Sequence, residues 1–298
     1  MLRSRFQHAA RVWFVAIGLA GVAAAADAPA EKFALRYKFA ADSTLMYTIS
    51  NEASYDIQVG QTAETVANST ESGRRLRTVA VNPDGSAVLE IQIEYVNLSA
   101  GNGQISWDSR SKTAPPEEFT GIDKTIGKPL MKITVSPTGD VIAAENDGQT
   151  VSGEQLASAQ FDILPMLPAD PVAIGESWHE PFQIGVVTDG KLPKRISLQR
   201  TYTLKAVSNG IAEIEVQTGV LTPLQDPQEE GQLVEQTPSG TVRLDIAQGR
   251  VLERLMQLDN KVVGFKGPQT AIRVVRVHQE SLSSGEKSAA LPTARPAM

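Results

Sequence analysis

The 298-residue chain contains no cysteine. No disulfide staples it and no thiolate nucleophile or thiolate metal ligand is available, so the hydrophobic core has to supply its stability unaided. Histidine is almost as scarce, at His8, His179 and His278. A zinc centre needs several nitrogen, sulfur or carboxylate ligands converging on one point, and this inventory makes one improbable. The glycines sit singly, so no phosphate-cradling loop is present, and no G-x-S-x-G nucleophile elbow occurs. Beyond the first turns of the sequence there is no apolar run of about 20 residues, the length a membrane-spanning helix requires. No cofactor, catalytic residue or metal site is expected.

What stands at the start is an export signal. Arg3, Arg5 and Arg11 precede an apolar run from Val12 to Ala25, followed by the small residues Ala24 and Ala26. That is the three-part order of a secretory leader, with cleavage expected after Ala26. A lipoprotein signal would need a cysteine at the new terminus, so the mature chain is expected to be soluble and unanchored, in the periplasm or outside the cell. Removing residues 1–26 takes away three arginines and no acids. The 28 basic residues become 25 against 34 acidic ones, and the formal charge moves from -6 to -9. Nucleic acid is an unsuitable partner for such a chain.

Period-two hydrophobicity dominates the rest. In a pleated strand odd and even residues project to opposite faces, so strict alternation marks a half-buried strand. Phe33, Leu35, Tyr37 and Phe39 share one parity. Leu45, Tyr47, Ile49, Ala53, Tyr55, Ile57 and Val59 share another, broken at Asn51 alone, with Thr48, Ser50, Glu52, Ser54, Asp56 and Gln58 between them. From Ala87 the apolar set is Leu89, Ile91, Ile93 and Tyr95. One-sided strands of this kind belong to antiparallel sheets. Asn82-Pro83-Asp84-Gly85 and Ser136-Pro137-Thr138-Gly139 each place proline second and glycine fourth, as a type I turn prefers, and each is expected to close a hairpin.

Laid side by side, the two halves look alike. The segment from Val79 to Ile93 resembles that from Leu204 to Thr218, and Met131 to Val141 resembles Val242 to Val251, in the same order. This reads as an internal duplication, although hairpins built from the same small menu of turn residues also resemble one another. The expected fold is all-β: two related antiparallel half-sheets, either one curved half-barrel-like sheet or two domains, joined by a short connector helix. The boundaries are 1–26 for the leader, 27–150 for the first half, 151–174 for the connector, 175–280 for the second half and 281–298 for a disordered tail. The helix is expected near 153–163, ending before Pro165; Pro168 and Pro171 continue an extended connector. Further strands are expected around Ile196–Ala206, Ala212–Val216, Val242–Ile246, Leu252–Leu258 and Ile272–Val277.

One grouping of serine, histidine and acid residues invites a catalytic or metal-site reading. Ser177 and His179 share a strand face in Glu176-Ser177-Trp178-His179-Glu180, but two residues make neither a triad nor a metal shell. His278 ends the run Ile272-Val274-Arg276-His278, where a rim position on a sheet accounts for it. The aromatic set Phe33, Tyr37, Phe39, Tyr47, Tyr55 and Tyr95 admits two explanations. These residues are core, or they line a groove on a curved sheet that holds an acyl chain, with Trp107 and Trp178 at its mouth. The candidate ligand-binding set is therefore Tyr37, Tyr47, Tyr55, Tyr95, Trp107 and Trp178.

The Leu35–Phe39 strand together with Ile174-Gly175-Glu176-Ser177-Trp178 resembles an uncharacterised family of exported, β-rich bacterial proteins, planctomycete-like, that carry a mid-chain Val/Ile-Gly-Asp/Glu-Ser-Trp element. That resemblance implies an envelope or secreted location and no particular activity. More loosely, long antiparallel strands with one helical connector resemble the half-barrel of LolA-type lipoprotein carriers, a likeness of fold. The function ranked first is a non-enzymatic envelope protein that binds a protein partner or an amphiphilic small molecule. The alternative is a hydrolase working with carboxylates, the plentiful acid–base groups of the chain.

Overall fold

The computed structural model describes residues 31–146, 149–152, 163–187 and 193–283. The expected leader, the expected connector helix from 153 onward and the tail beyond 283 lie outside the described residues. The strands are β1 (Lys32–Phe33), β2 (Thr44–Val59), β3 (Thr62–Val81), β4 (Ala87–Ala100), β5 (Ile105–Asp108), β6 (Pro129–Val135), β7 (Val141–Asn146) and β8 (Gln149–Ser152) in the first half. The second half contributes β9 (Val172–Ala173), β10 (Ser177–Val186), β11 (Lys194–Ser208), β12 (Ile211–Val220), β13 (Ser239–Asp245), β14 (Arg250–Val263) and β15 (Thr270–Leu282). Two short helices, α1 (Thr120–Asp123) and α2 (Pro227–Gln232), lie in excursions between strands.

The fold is all-β and antiparallel, and the two halves form one sheet. Among the described residues thirteen strands join in the order β10-β11-β12-β13-β14-β15-β2-β3-β4-β6-β7-β8, with β5 beside the far end of β4. The seam is the pairing of β15 with β2, from Thr270 opposite Val59 to Leu282 opposite Tyr47. β15 thus runs two residues into the segment expected to be a disordered tail, because Ser281 and Leu282 still find partners in Thr48 and Tyr47. Each half is a six-strand meander with one excursion between its third and fourth strands: residues 101–128 between β4 and β6, and 221–238 between β12 and β13. The two proline-containing turns close β3–β4 and β6–β7, with Gly85 and Gly139 at φ of 83° and 92°, conformations that glycine adopts without a Cβ penalty.

The sheet is strongly curled, as two hydrogen bonds demonstrate. The adjacent amides of Tyr37 and Lys38 donate to the carbonyls of Pro137 and Gly249 at 2.8 and 3.1 Å. Those carbonyls belong to the β6–β7 and β13–β14 turns, and β14 and β6 are five strand steps apart in the sheet. On a flat sheet that separation would be about 24 Å at the usual spacing of about 4.8 Å per strand. Only a curled sheet brings both turns to neighbouring amides.

Residues 34–39 therefore differ from expectation. Their burial alternates, with Leu35 and Tyr37 inside, but only Lys32 and Phe33 pair as a strand, with β9. The segment is an inner strap across the concave face. It packs beside the connector residues Leu164, Met166, Leu167 and Val172, in a core built from Tyr202, Leu204, Ile214, Val242 and Leu244 of the second half. Phe39 and Leu164 also touch the first-half core of Tyr47, Ile49, Leu76, Leu89, Ile91 and Ile133. The convex face carries cross-strand ion pairs such as Arg273–Asp259 and Arg243–Glu253, whose solvent screening leaves them little weight in stability.

Two glycines in this sheet make opposite predictions. A Cβ on Gly240 would stand 1.8 Å from the Leu255 carbonyl oxygen, whereas one on Gly219 meets nothing within 4 Å. Gly240→Ala is expected to lose about 2–3 kcal/mol through overpacking, and Gly219→Ala to gain up to about 1 kcal/mol through reduced backbone entropy of the unfolded chain. Urea midpoints that coincide for the two variants would contradict this packing at the β13–β14 contact.

Candidate functional site

The strap and connector fill one end of the concave face; below them remains a cavity of about 440 Å³. Its walls come from strands on both sides of the seam. Val216, Val242, Met256, Leu258 and Phe182 form the apolar side, while Asn51, Arg74, Arg254, Arg276 and His278 lie toward the seam. Pro165 of the connector closes one end. Glu235, Gln236 and Pro238, from the excursion that carries α2, cover another. That covering loop is pinned by Asn260, whose Nδ2 donates to the Val234 carbonyl at 2.8 Å and to Thr237 Oγ1 at 2.9 Å.

Period two places the charged groups. On β15, Arg276, His278 and Glu280 follow Ile272 and Val274 on the concave parity, and cross-strand partners set the rest: Arg254 opposite Glu280, Met256 opposite His278, and Asn51 opposite His278 on the other side. Glu280 is the hub. One of its carboxylate oxygens accepts from Arg254 at 3.0 Å and the other from Arg74, whose guanidinium crosses the Tyr47 ring with its carbon 5.6 Å from the centroid. The three side chains are 4%, 5% and 9% exposed for Glu280, Arg254 and Arg74, so this charge cluster is buried. His278 lies with Nδ1 2.7 Å from Asn51 Oδ1 and Nε2 3.3 Å from Arg254 Nη2.

On the opposite wall Glu180 gathers Arg200 at 3.2 Å and the Tyr202 hydroxyl at 2.6 Å. The Arg200 guanidinium lies 5.0 Å from the Phe182 centroid. Tyr202 in turn stacks on Trp178 at 5.6 Å with planes 9° apart. Arg276 contacts Glu235 at 3.4 Å. Both lining or near-lining carboxylates on the seam side, Glu235 and Glu280, are thus engaged with guanidinium groups.

None of the six aromatic candidates read from the sequence is among the lining residues, though four, Tyr37, Tyr47, Tyr55 and Trp178, touch residues that are. Tyr37 is buried and donates to the Pro165 carbonyl at 2.8 Å. Tyr47 is buried under Arg74 and donates to the Val251 carbonyl at 3.0 Å. Trp178 stands behind Tyr202 and donates to the Met166 carbonyl at 2.8 Å. Tyr55 packs at the outer end of β2 against Val274 and its neighbours, where burial foremost, and then the charge of Glu235, raises its phenol pKa. Trp107 is buried beside Val96 and Leu98. Tyr95 leaves the shared aromatic face altogether. A β-bulge sets Tyr95 opposite Gly73 and Ile93 opposite Arg74, so Tyr95 and Ile93 face opposite ways. Its ring covers Gly73, where a Cβ would lie 2.4 Å away, and carries Arg110 at 4.3 Å.

Ser177 and His179 are exposed on the convex side, bonded to Thr203 and Thr201 of the next strand. His278, expected at a rim, lines the cavity. The signals that mark the site in the sequence are the polar interruptions of apolar parities: Asn51 in β2, Arg74 in β3, Arg254 in β14, and Arg276, His278 and Glu280 in β15.

Residues 145–250 match a sequence family described as a family of unknown function, DUF6263, and the match spans Ile174–Trp178. No curated protein matches the chain. Among solved structures, a lipovitellin structure, described under lipid–protein interactions in lipovitellin, aligns at 8% identity with a TM-score of 0.42. It covers 86% of this chain, which spans 27% of the lipovitellin chain. A DUF1329 family protein from Desulfovibrio piger ATCC 29098 aligns at 11% identity and a TM-score of 0.17, covering 80% of this chain and 87% of its own.

Two predictions follow from the buried groups. Glu280→Gln removes the hub and leaves Arg74 and Arg254 facing one another in the interior. Breaking one partner of a buried ion pair costs about 3–5 kcal/mol, so chemical unfolding should show a loss of that order, and a loss below about 1 kcal/mol would contradict the buried-hub geometry. The second concerns alkali. Burial, foremost, pushes the phenol pKa values of Tyr37 and Tyr47 well above the ordinary tyrosine value. The folded chain then keeps protons that the unfolded chain releases near pH 10, so the unfolded state binds fewer protons and stability falls as pH rises. The contribution is complete below about pH 10 and declines above it by about 1.4 kcal/mol per pH unit for each tyrosine. Stability measured between pH 9 and 11 should fall less steeply in Tyr47→Phe than in the parent; equal slopes would count against it.

Proposed function

We propose that this chain is an exported, non-enzymatic binding protein that holds one apolar or amphiphilic small molecule in the cavity on its concave sheet face. The observation that carries this reading is the cavity itself. It lies between the curled sheet, Pro165 of the connector and the covering loop, and its volume falls in the range of about 300–1,000 Å³ usual for small-molecule sites. Phe182, Val216, Val242, Met256 and Leu258 offer apolar surface, and a few fixed polar groups stand opposite them. The leader-like order of Arg3, Arg5, Arg11 and the Val12–Ala25 run supports export, to the periplasm or the medium. The repeated strand order of the halves supports an origin by duplication, with the site assembled across their seam.

Native mass spectrometry of the purified protein should show a bound small molecule. Titration of the delipidated chain with the neutral apolar dye N-phenyl-1-naphthylamine should show one saturable site. Met256→Trp, which fills the cavity from a half-buried position, should weaken the dye by about tenfold, or about 1.4 kcal/mol, with the urea midpoint close to that of the parent. Absence of both a co-purifying molecule and dye binding would overturn the reading, and undiminished dye binding by the variant would place the site elsewhere.

A further inference from the structure

Resting on that reading, we infer that the ligand carries an anionic head, a carboxylate or phosphate, which docks among the arginines on the seam side of the cavity. The distribution of charge motivates this. Four arginines line the cavity, Arg74, Arg200, Arg254 and Arg276, against Glu235 on its surface and Glu180 and Glu280 paired behind it, a balance of one net positive charge. A cationic head would enter against that field; an anionic one enters with it.

Arg74 supplies the second observation. It is 8% exposed, its Nη2 is engaged by Glu280, and its Nε is buried with no hydrogen-bond partner. A buried N–H without an acceptor is unfavourable, and an oxyanion in the cavity would supply one. Guanidinium groups are suited to this because their planar fork matches carboxylate and phosphate oxygens two at a time. Arg276 is the more accessible partner: its side chain is 40% exposed and meets Glu235 only at 3.4 Å, so an incoming anion can share it. Across the cavity, Met256, Leu258, Val216 and Phe182 are placed to take the apolar part of the same molecule. A head at the seam and a tail toward β11 and β12 follow from this polarity.

The test uses four ligands with the same twelve-carbon tail: dodecanoate, dodecyl phosphate, dodecanol and dodecyltrimethylammonium, each titrated calorimetrically below its aggregation concentration into the full mature chain. At least one anion should bind about tenfold or more tightly than dodecanol, and the ammonium more weakly than dodecanol; which anion wins separates carboxylate from phosphate. Arg276→Gln should reduce the anion-over-alcohol preference about fivefold or more. Arg273→Gln, which removes an arginine from the convex side of the same strand, should leave it unchanged. Dodecanol binding as tightly as both anions would overturn the headgroup inference while leaving the binding function intact. Failure of all four, together with failure of the neutral dye, would remove the binding function as well.

Discussion

The pairing of β15 with β2 is the constraint on which the architecture depends. β2 opens the first meander and β15 closes the second, so joining them zips the first long strand to the last and makes one sheet from two halves. Among the described residues the edges of that sheet are then β8 and β10, between which the sequence places the connector and β9. The chain between them has to travel from one edge to the other. Its described part from residue 163 lies over the concave face, where Ile163 and Leu164 touch the first-half core and Met166, Leu167 and Val172 the second-half core. Residues 33–39 run beside it and tie together two turns from distant strands. Strap and connector, joined through the short β1–β9 ribbon, act as an internal packing layer against the curled sheet, which thereby obtains a two-layer core. Where that layer stops, the cavity begins.

The buried charge cluster bears on function more than on stability. Taking Arg74, Glu280 and Arg254 out of water costs several kcal/mol per ion, and an apolar trio of similar volume is often as stable or more so by about 1–4 kcal/mol. The surrounding sheet offers many positions where such a replacement would pack against Ile49, Val242 and Tyr47. The charges instead sit where the packing layer ends and the cavity opens, each held by a neighbour: Glu280 between two guanidiniums, His278 between Asn51 and Arg254. Rotamers fixed in this way present a preorganised polar wall, the condition under which a few polar groups set the orientation of an otherwise apolar ligand.

Much of this was readable in the sequence. The strands, their one-sided faces, the Pro-Gly hairpins and the meander with a mid-chain connector all follow from period two and turn chemistry. Local bulges were not readable, because an extra residue in β4 changes neither composition nor alternation; it moved Tyr95 to the face opposite Ile93 and dissolved the single aromatic groove. The strap was half readable: the alternation of Leu35 and Tyr37 marks one buried side, but it does not reveal whether the partner is a sheet edge or a sheet face. The site was written in the sequence as exceptions. Asn51 interrupts an apolar parity that otherwise runs from Leu45 to Val59, and Arg276 and His278 continue the parity of Ile272 and Val274. Aromatic content drew attention to residues that serve the core, whereas the polar residues on buried parities lined the cavity.

The asymmetry between the halves explains why the cavity takes its apolar wall from one of them. Both meanders place an excursion after their third strand, so topology alone would give each half the same opportunity to cover the concave face. The first excursion contributes β5, which extends the sheet beside β4 and buries Trp107 against Val96 and Leu98. The second forms no strand. Its α2 turn is capped by Asp226, Leu233 is buried among Val186, Ile196 and Leu198, and the chain then passes over the cavity through Glu235 to Pro238. An excursion that joins the sheet by backbone hydrogen bonds is committed along its length, whereas one anchored by a few apolar side chains and by Asn260 leaves its polar residues directed at the space beneath. The half that lacks the extra strand is therefore the half that can cover a ligand.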